Sequence, residues 1–293
     1  LDPPARTHLY WQRQRSLKRF LQARLLNRKE TVLKILMINP NTSTEMTDRM
    51  IATAQSVLAP DTELIAHTAT RGFPYIASRA EAMIAGNITL EMLAEHHHGC
   101  DAAVIAAFGD PSLIAARELF EIPITAMAEA AILTSCMLGE RFAMLTFSRT
   151  LVAWYEDAVA LAGLTHRCAA IRVPDVSFKS VSTVQYELEN EIVALAERTV
   201  KEDGADVLIL AGAPLAGLAQ RIAHRSPVPL VDPLVAAVSQ AQTLARMKPK
   251  AASAGRFARP GPKVTVGLPQ SLADWIEHRG PDRQSDLTLN ASM

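Results

Sequence analysis

Short apolar runs alternate with longer amphipathic stretches from Val32 to about residue 246, and this alternation restricts the fold more than any single residue does. Apolar runs at 33–38, 62–67, 102–107, 123–126, 141–147, 168–173, 206–211 and 228–231 read as strands. Most are continuously apolar rather than alternating, as expected of strands buried on both faces of a parallel sheet. Helical periodicity fills the gaps near 43–58, 77–98, 111–119, 128–138, 151–163, 183–203, 215–224 and 233–246. Right-handed crossovers then make a doubly wound α/β architecture the expected one. Local signals support the helix starts. Thr42 and Glu45 have the spacing of a capping box. Asp110–Pro111 and Asp232–Pro233 each read as an N-cap followed by proline at the first helical position.

The pattern occurs twice. Asp101–Pro123 (DAAVIAAFGDPSLIAARELFEIP) and Asp206–Pro229 (DVLILAGAPLAGLAQRIAHRSPVP) share an acid, a buried strand, a Gly/Pro turn, a helix and a second strand at a proline. The strand ends at 38–43 and 145–150 correspond with nearly the same offset, about 105–107 residues. A repeat of this length means duplicated lobes, not a solenoid. The expected fold is two pseudo-symmetric, doubly wound parallel-sheet lobes with a cleft between them, lined by the C-terminal strand ends. The first lobe is expected over 32–127 plus 232–246 and the second over 128–231. Residues 247–293, rich in Lys, Pro and Gly at their start, form a C-terminal tail with a short helix near 270–278.

Composition narrows the function. Thirty Lys and Arg balance thirty Asp and Glu in 293 residues, so net charge supplies no argument for nucleic acid or a membrane surface as partner. The exception is local. Residues 1–32 carry eight basic side chains against Asp2 and Glu30. With a weak amphipathic pattern at 16–26 and no apolar core of a signal peptide, residues 1–31 are expected to be a poorly ordered basic extension upstream of a start at Val32. Three cysteines, Cys100, Cys136 and Cys168, do not make a disulfide framework and point to a reducing, cytoplasmic compartment. Neither GxGxxG nor GxxxxGK[ST] occurs, which argues against dinucleotides and ATP. His96, His97 and His98 are consecutive and radiate around a helix, so no metal site is expected from them.

Three segments carry a family resemblance. LKILMINPNTS at 33–43, IAAFGDPSL at 105–113 and LAGAPLAGL at 210–218 resemble, in order, the landmarks of hydantoin and allantoin racemases, within the aspartate/glutamate/hydantoin racemase superfamily. The resemblance spans about 33–246. It implies the two-lobed fold, no cofactor, a homo-oligomer, and racemisation or isomerisation of a small hydantoin, ureide or amino-acid-like substrate at the carbon beside a carbonyl. Family racemases resemble one another in placing one cysteine at the central strand end of each lobe, so that one thiolate removes the proton and the other thiol returns one from the opposite face. Here the matching positions are Ala107 and Gly212. Neither carries a proton, and the catalytic residues stay unassigned, with Asp110 as the one weak candidate. A same-fold lyase or decarboxylase with a non-thiol base, or a ligand-binding relative without catalysis, is the alternative.

Position and resemblance together select the candidate binding residues. Asn39, Asn41, Thr42 and Ser43 sit where the first strand meets its helix and are expected to hold a carboxylate or ureido carbonyl. Phe108 follows Ala107. Thr146 and Ser148 are the second-lobe counterparts of Asn39 and Asn41, and Ala213 follows a glycine that lets backbone approach a ligand. Arg71, Tyr75, Ser78 and Arg79 belong to a loop expected at the cleft mouth, where an arginine can pair with a carboxylate or simply stay in solvent. Glu129 begins the helix after the fourth strand, where it can face the cleft or serve the helix N-terminus, and His67 ends the second strand as a structural residue rather than a base.

Overall fold

The computed structural model describes residues 32–279. The basic extension 1–31, with the amphipathic stretch 16–26, lies outside the described residues, as does the chain beyond 279. Eight strands form: β1 Leu33–Asn39, β2 Thr62–Thr68, β3 Ala102–Ile105, β4 Ile124–Ala126, β5 Phe142–Leu145, β6 Cys168–Arg172, β7 Val207–Leu210 and β8 Leu230–Val231. They make two four-stranded sheets, ordered β2-β1-β3-β4 and β6-β5-β7-β8, with every pairing parallel. This is the expected α/β fold in two copies.

The copies agree down to single hydrogen bonds. Asp101 accepts from the Lys34 amide through Oδ2 at 2.8 Å, and Asp206 accepts from the Arg141 amide through Oδ2 at 2.8 Å. Each acid thus clamps the start of the first strand of its own sheet. At the other end, the amides of Ala106 and Ala211 donate to Ile38 and Leu145 carbonyls, both at 2.8 Å.

The helices are α1 Thr44–Gln55, α2 Arg79–His96, α3 Leu113–Leu119, α4 Met127–Leu138, α5 Val152–Leu161, α6 Val184–Glu187, α7 Glu189–Asp203, α8 Leu218–Ile222, α9 Pro233–Met247 and α10 Gln270–Ile276. Three differ from expectation. The helix expected over 183–203 breaks at Leu188, whose φ of −104° and ψ of 11° leave the helical region. The cap of α1 is Ser43, not Thr42: Ser43 Oγ accepts from the Met46 amide at 3.1 Å, while the Thr42 amide is spent on the Phe73 carbonyl. Glu45 then pairs with Arg49 instead of closing a capping box. Pro111 does not open α3, because Asp110 and Ser112 both take positive φ, 56° and 62°, and the helix begins only at Leu113.

Two helices are exchanged between the sheets. Helix α4 leaves β4 of the first sheet and packs on β5, β7 and β8 of the second; α9 leaves β8 and packs on β1, β3 and β4 of the first. They also lie against each other, with Gln240 Nε2 donating to the Ala130 carbonyl and Thr134 Oγ1, both at 3.0 Å. Thr125 Oγ1 donates to the Ala237 carbonyl at 2.9 Å. The C-terminal segment packs on the first half: α10 buries Leu272 and Ala273, and Trp275 stacks on Phe120 while donating from Nε1 to the Leu119 carbonyl. Among the described residues no helix is long and apolar enough to cross a membrane.

Candidate active site

The loop after β1 is held by its own amides. Asn39 is fully buried, and its Nδ2 donates to Asn41 Oδ1, the Ser43 carbonyl and Thr47 Oγ1 at 2.9–3.2 Å. Asn39 Oδ1 accepts from the Asn41 amide, and Asn41 Oδ1 from the Ser43 amide. Asn39 and Ser43 are therefore spent on shaping the loop and capping α1. What the loop still offers is Asn41 Nδ2, which has no partner among the described residues, and the half-exposed Thr42 side chain.

The turns after β3 and β7 approach a common neighbour, Tyr155 of α5. Phe108 packs edge-on against the Tyr155 ring at 4.6 Å between centroids. Gly109 (φ 96°) lies under the Trp154 ring, with no space for a Cβ. Gly212 (φ 124°) belongs to the second sheet, and a Cβ built on it would stand 3.4 Å from the Tyr155 hydroxyl and 2.9 Å from Phe147 Cε1. So the room a side chain at 212 would need is occupied by Phe147 and Tyr155. Thr146, at the end of β5, is fully buried, and its Oγ1 makes no hydrogen bond of normal geometry although the Tyr155 hydroxyl stands beside it. Tyr75 reaches in from the first half, its ring 5.9 Å from that of Phe147, with its buried hydroxyl unpartnered. The amides of Phe108, Gly109, Gly212 and Ala213 likewise donate to no group among the described residues. Backbone N–H groups left open at two strand ends can accept a carbonyl or carboxylate oxygen.

Ala107 and Ala213 are both buried beside these turns, whereas Ser148 is half-exposed, its hydroxyl paired with Thr150 Oγ1 at 2.9 Å. Asp110 behaves differently from its expected role. It caps α4 rather than α3: Oδ1 accepts from the Ala128 amide and Oδ2 from the Glu129 amide, both at 2.7 Å. Desolvation by its surroundings raises its pKa to about 7, outweighing the two amides that favour the carboxylate. Glu129 is bound to Arg117, Arg71 to Glu91 and Arg79 to Asp157. These charges are satisfied within the protein, and the two loop arginines have carboxylates already. Ser78 caps α2, accepting from the Glu81 amide at 3.2 Å.

His67 lies stacked on His96, 3.7 Å between centroids, and its pKa is lowered mainly by burial. Among the described residues no group of three or more His, Cys, Asp or Glu is placed to hold a metal ion. Burial also raises the Cys100 and Cys168 thiols, Cys168 to about 11, which keeps both protonated and poorly nucleophilic at neutral pH. Sequence reasoning missed Tyr155. It sits in mid-helix beside Trp154, where an aromatic reads as core, and only the packing of the second half brings its hydroxyl to Gly212.

A family model described as Asp/Glu/Hydantoin racemase matches residues 35–241. The chain is similar to the hydantoin racemase of Paenarthrobacter aurescens, at 30% identity over 233 residues covering 79% of this chain and 99% of that protein. It is similar to the hydantoin racemase of Rhizobium meliloti at 29% identity, over 80% and 98% of the two. Among solved structures it resembles allantoin racemase from Klebsiella pneumoniae, with a TM-score of 0.77 and 32% identity over 82% of this chain and 98% of that one.

Proposed function

The chain belongs to the Asp/Glu/hydantoin racemase family, and on that premise we propose that it is a cofactor-independent isomerase acting on a small hydantoin-like or allantoin-like cyclic ureide. The carrying observation is the likeness to named racemases over about four-fifths of the chain, at 30% identity for the first and a TM-score of 0.77 for the structure. The reaction is inversion at the carbon beside a ring carbonyl. The site is the junction of the two turns: the open amides of residues 108–109 and 212–213 hold ring or carboxamide oxygens, Asn41 Nδ2 supplies a further donor, and Phe108 gives an apolar wall. The enzyme works in the cytoplasm as a homo-oligomer.

Two-base inversion through thiols is not open to this chain, since residues 107 and 212 are Ala and Gly. Proton transfer passes to other groups at the junction or to bound solvent. The activity should therefore survive iodoacetamide.

The test is to incubate an enantiopure 5-substituted hydantoin, and separately allantoin, with the enzyme in deuterated water. Proton NMR and optical rotation are followed together, against the spontaneous rate. Deuterium entry at the carbon next to the carbonyl together with loss of rotation is expected. Consumption of substrate without exchange would overturn racemisation in favour of lysis or decarboxylation, and saturable binding with neither change would leave a ligand-binding protein.

A further inference from the structure

Helix α1 belongs to the first half, yet one of its side chains holds two segments of the second. Arg49 has a side chain only 15% exposed. Its Nη1 donates to the Pro214 carbonyl at 3.3 Å, in the turn after β7, and its Nη2 to the Ser182 carbonyl at 2.6 Å, in the loop between β6 and α6. Glu45 also accepts from Nη2, at 3.2 Å, but from the exposed side of the same helix. A planar guanidinium suits this task, because its N–H groups are fixed in direction and can serve two carbonyls at once. Farther along α1, Thr53 Oγ1 stands against Gly217, and Ser56 Oγ accepts from Gln220 Nε2 at 2.7 Å. The counterpart of α1 in the second half, α5, crosses the other way with an apolar ring, Trp154 over Gly109. Each turn is thus met by a helix of the opposite half, the first through packing and the second through charge-assisted hydrogen bonds.

The two segments that Arg49 holds meet at the candidate site. The turn carries Gly212 and Ala213. The loop carries Phe178, whose ring packs edge-on against Phe147 at 5.6 Å, and Phe147 in turn stands against Gly212. Besides Arg49, this loop is tied by Glu187, which accepts from the Lys179 amide at 2.7 Å and from Thr183 Oγ1. We propose that Arg49 is a positioning residue for the second half of the site: it pins the turn and the loop to the first half, so that both are in place before substrate arrives. Without it the ligand has to order the two segments itself, and that cost falls on binding. The loss is the same in ground and transition states, so it appears in KM and leaves kcat nearly unchanged. The effect on substrate rests on the racemase reading; the mobility of the two segments does not.

The experiment compares wild type with Arg49→Met, Arg49→Lys and Glu45→Ala. Amide hydrogen exchange is read by mass spectrometry over peptides covering 173–183 and 212–217, alongside melting temperature and the kinetics of a 5-substituted hydantoin. Arg49→Met keeps the apolar stem and removes the donors; its two peptides should exchange about tenfold faster, and KM should rise about tenfold with kcat within about threefold. Arg49→Lys keeps the charge but not the fork, so about threefold is expected in each measure, and it decides the matter if Arg49→Met does not fold. Glu45→Ala leaves both carbonyl bonds in place and should stay within about twofold of wild type. A Glu45→Ala loss as large as that of Arg49→Met would overturn the proposal in favour of the ion pair. An arginine serving stability alone would lower the melting temperature and quicken exchange along the whole chain with KM unchanged, which would also overturn it. Unchanged amide exchange in the two peptides of a folded Arg49→Met would do the same, whether or not hydantoins are racemised. If wild type leaves hydantoins and allantoin untouched while Arg49→Met loosens the two peptides, the racemase reading falls and the positioning of turn and loop stands.

Discussion

The two halves solve one structural problem from opposite sides. In each, the turn after the third strand must be tied to the N-terminus of the helix after the fourth, where unpaired amides and the helix dipole call for a carboxylate. In the first half the turn supplies it: Asp110, at φ 56°, reaches across to the Ala128 and Glu129 amides of α4. In the second half the helix supplies it: Asp232 is the N-cap of α9, accepting from the Leu234 and Val235 amides, and it reaches back to the Gly217 amide of the turn at 2.6 Å. The residue that turns the chain matches as well, Ser112 (φ 62°) against Gly217 (φ 84°). The joint was kept through the duplication, but the residue that provides its charge was not.

The largest effects should come from that joint. Asp232→Ala strands three amides and should cost about 3–4 kcal/mol, and Asp110→Ala strands two and should cost about 2–3 kcal/mol, read by urea denaturation. Equal small losses, under about 1 kcal/mol each, would mean that the joint is satisfied by solvent and the comparison has no energetic content. Smaller costs, again unequal between the halves, are expected at the positions where family members resemble one another in carrying cysteine. Gly212→Cys must adopt a positive φ and displace Phe147, a penalty of about 2–3 kcal/mol. Ala107→Cys adds one sulfur at an ordinary strand end and should cost less than about 1.5 kcal/mol. If the two cost the same, Phe147 moves freely and the second site is less committed than its packing implies.

The smallest effect is local and belongs to the first half, where α10 has no counterpart on the second among the described residues. His97 is buried between Phe120, His98 and Trp275, with Nδ1 at 2.7 Å from the Leu93 carbonyl. Burial first, and the neighbouring His98 and Arg259 charges after it, lower its pKa to about 4, while the Leu93 and Ala94 backbone pulls it up. The folded state thus binds fewer protons than the unfolded one between about pH 4 and 6.5. Its contribution is complete above about 6.5 and lost as the pH falls toward 4. Fluorine NMR of fluorotryptophan-labelled protein should show the Trp275 signal changing as the pH falls through about 4, and His97→Gln should flatten the change.

Strand positions were legible because a strand buried on both faces has to be apolar throughout: β3, β5 and β7 are wholly buried and carry that mark, while the edge strand β2, with Thr62, Glu63 and His67, is half-exposed and carries it only in part. The duplication was legible for the same reason: Asp101 and Asp206 begin equivalent buried strands. Helix starts were less so. Asp110–Pro111 and Asp232–Pro233 read alike as dipeptides, yet only the second opens a helix. The difference lies in the positive φ angles on either side of Pro111, which depend on a partner helix far along the chain. At the candidate site, the loop asparagines were visible as strand-end polar residues, but not the fact that they bond mainly to each other. Tyr155 left no signal, because only the packing brings its hydroxyl beside Gly212, more than fifty positions away.

The exchange of α4 and α9 bears on how this molecule comes into being. During synthesis from the N-terminus, the first sheet is made by residue 126, but the helix that covers one of its faces is not complete until residue 247. For the length of more than a hundred residues, Ile35, Met37 and Val104 lie in a sheet whose covering helix does not yet exist. At typical translation rates of about 5–20 residues per second that interval lasts on the order of ten seconds. The nascent protein has to pass through it with an apolar face open to other chains. Stalling, truncation or slow codons between residues 127 and 233 should therefore yield aggregate rather than a half-sized folded product.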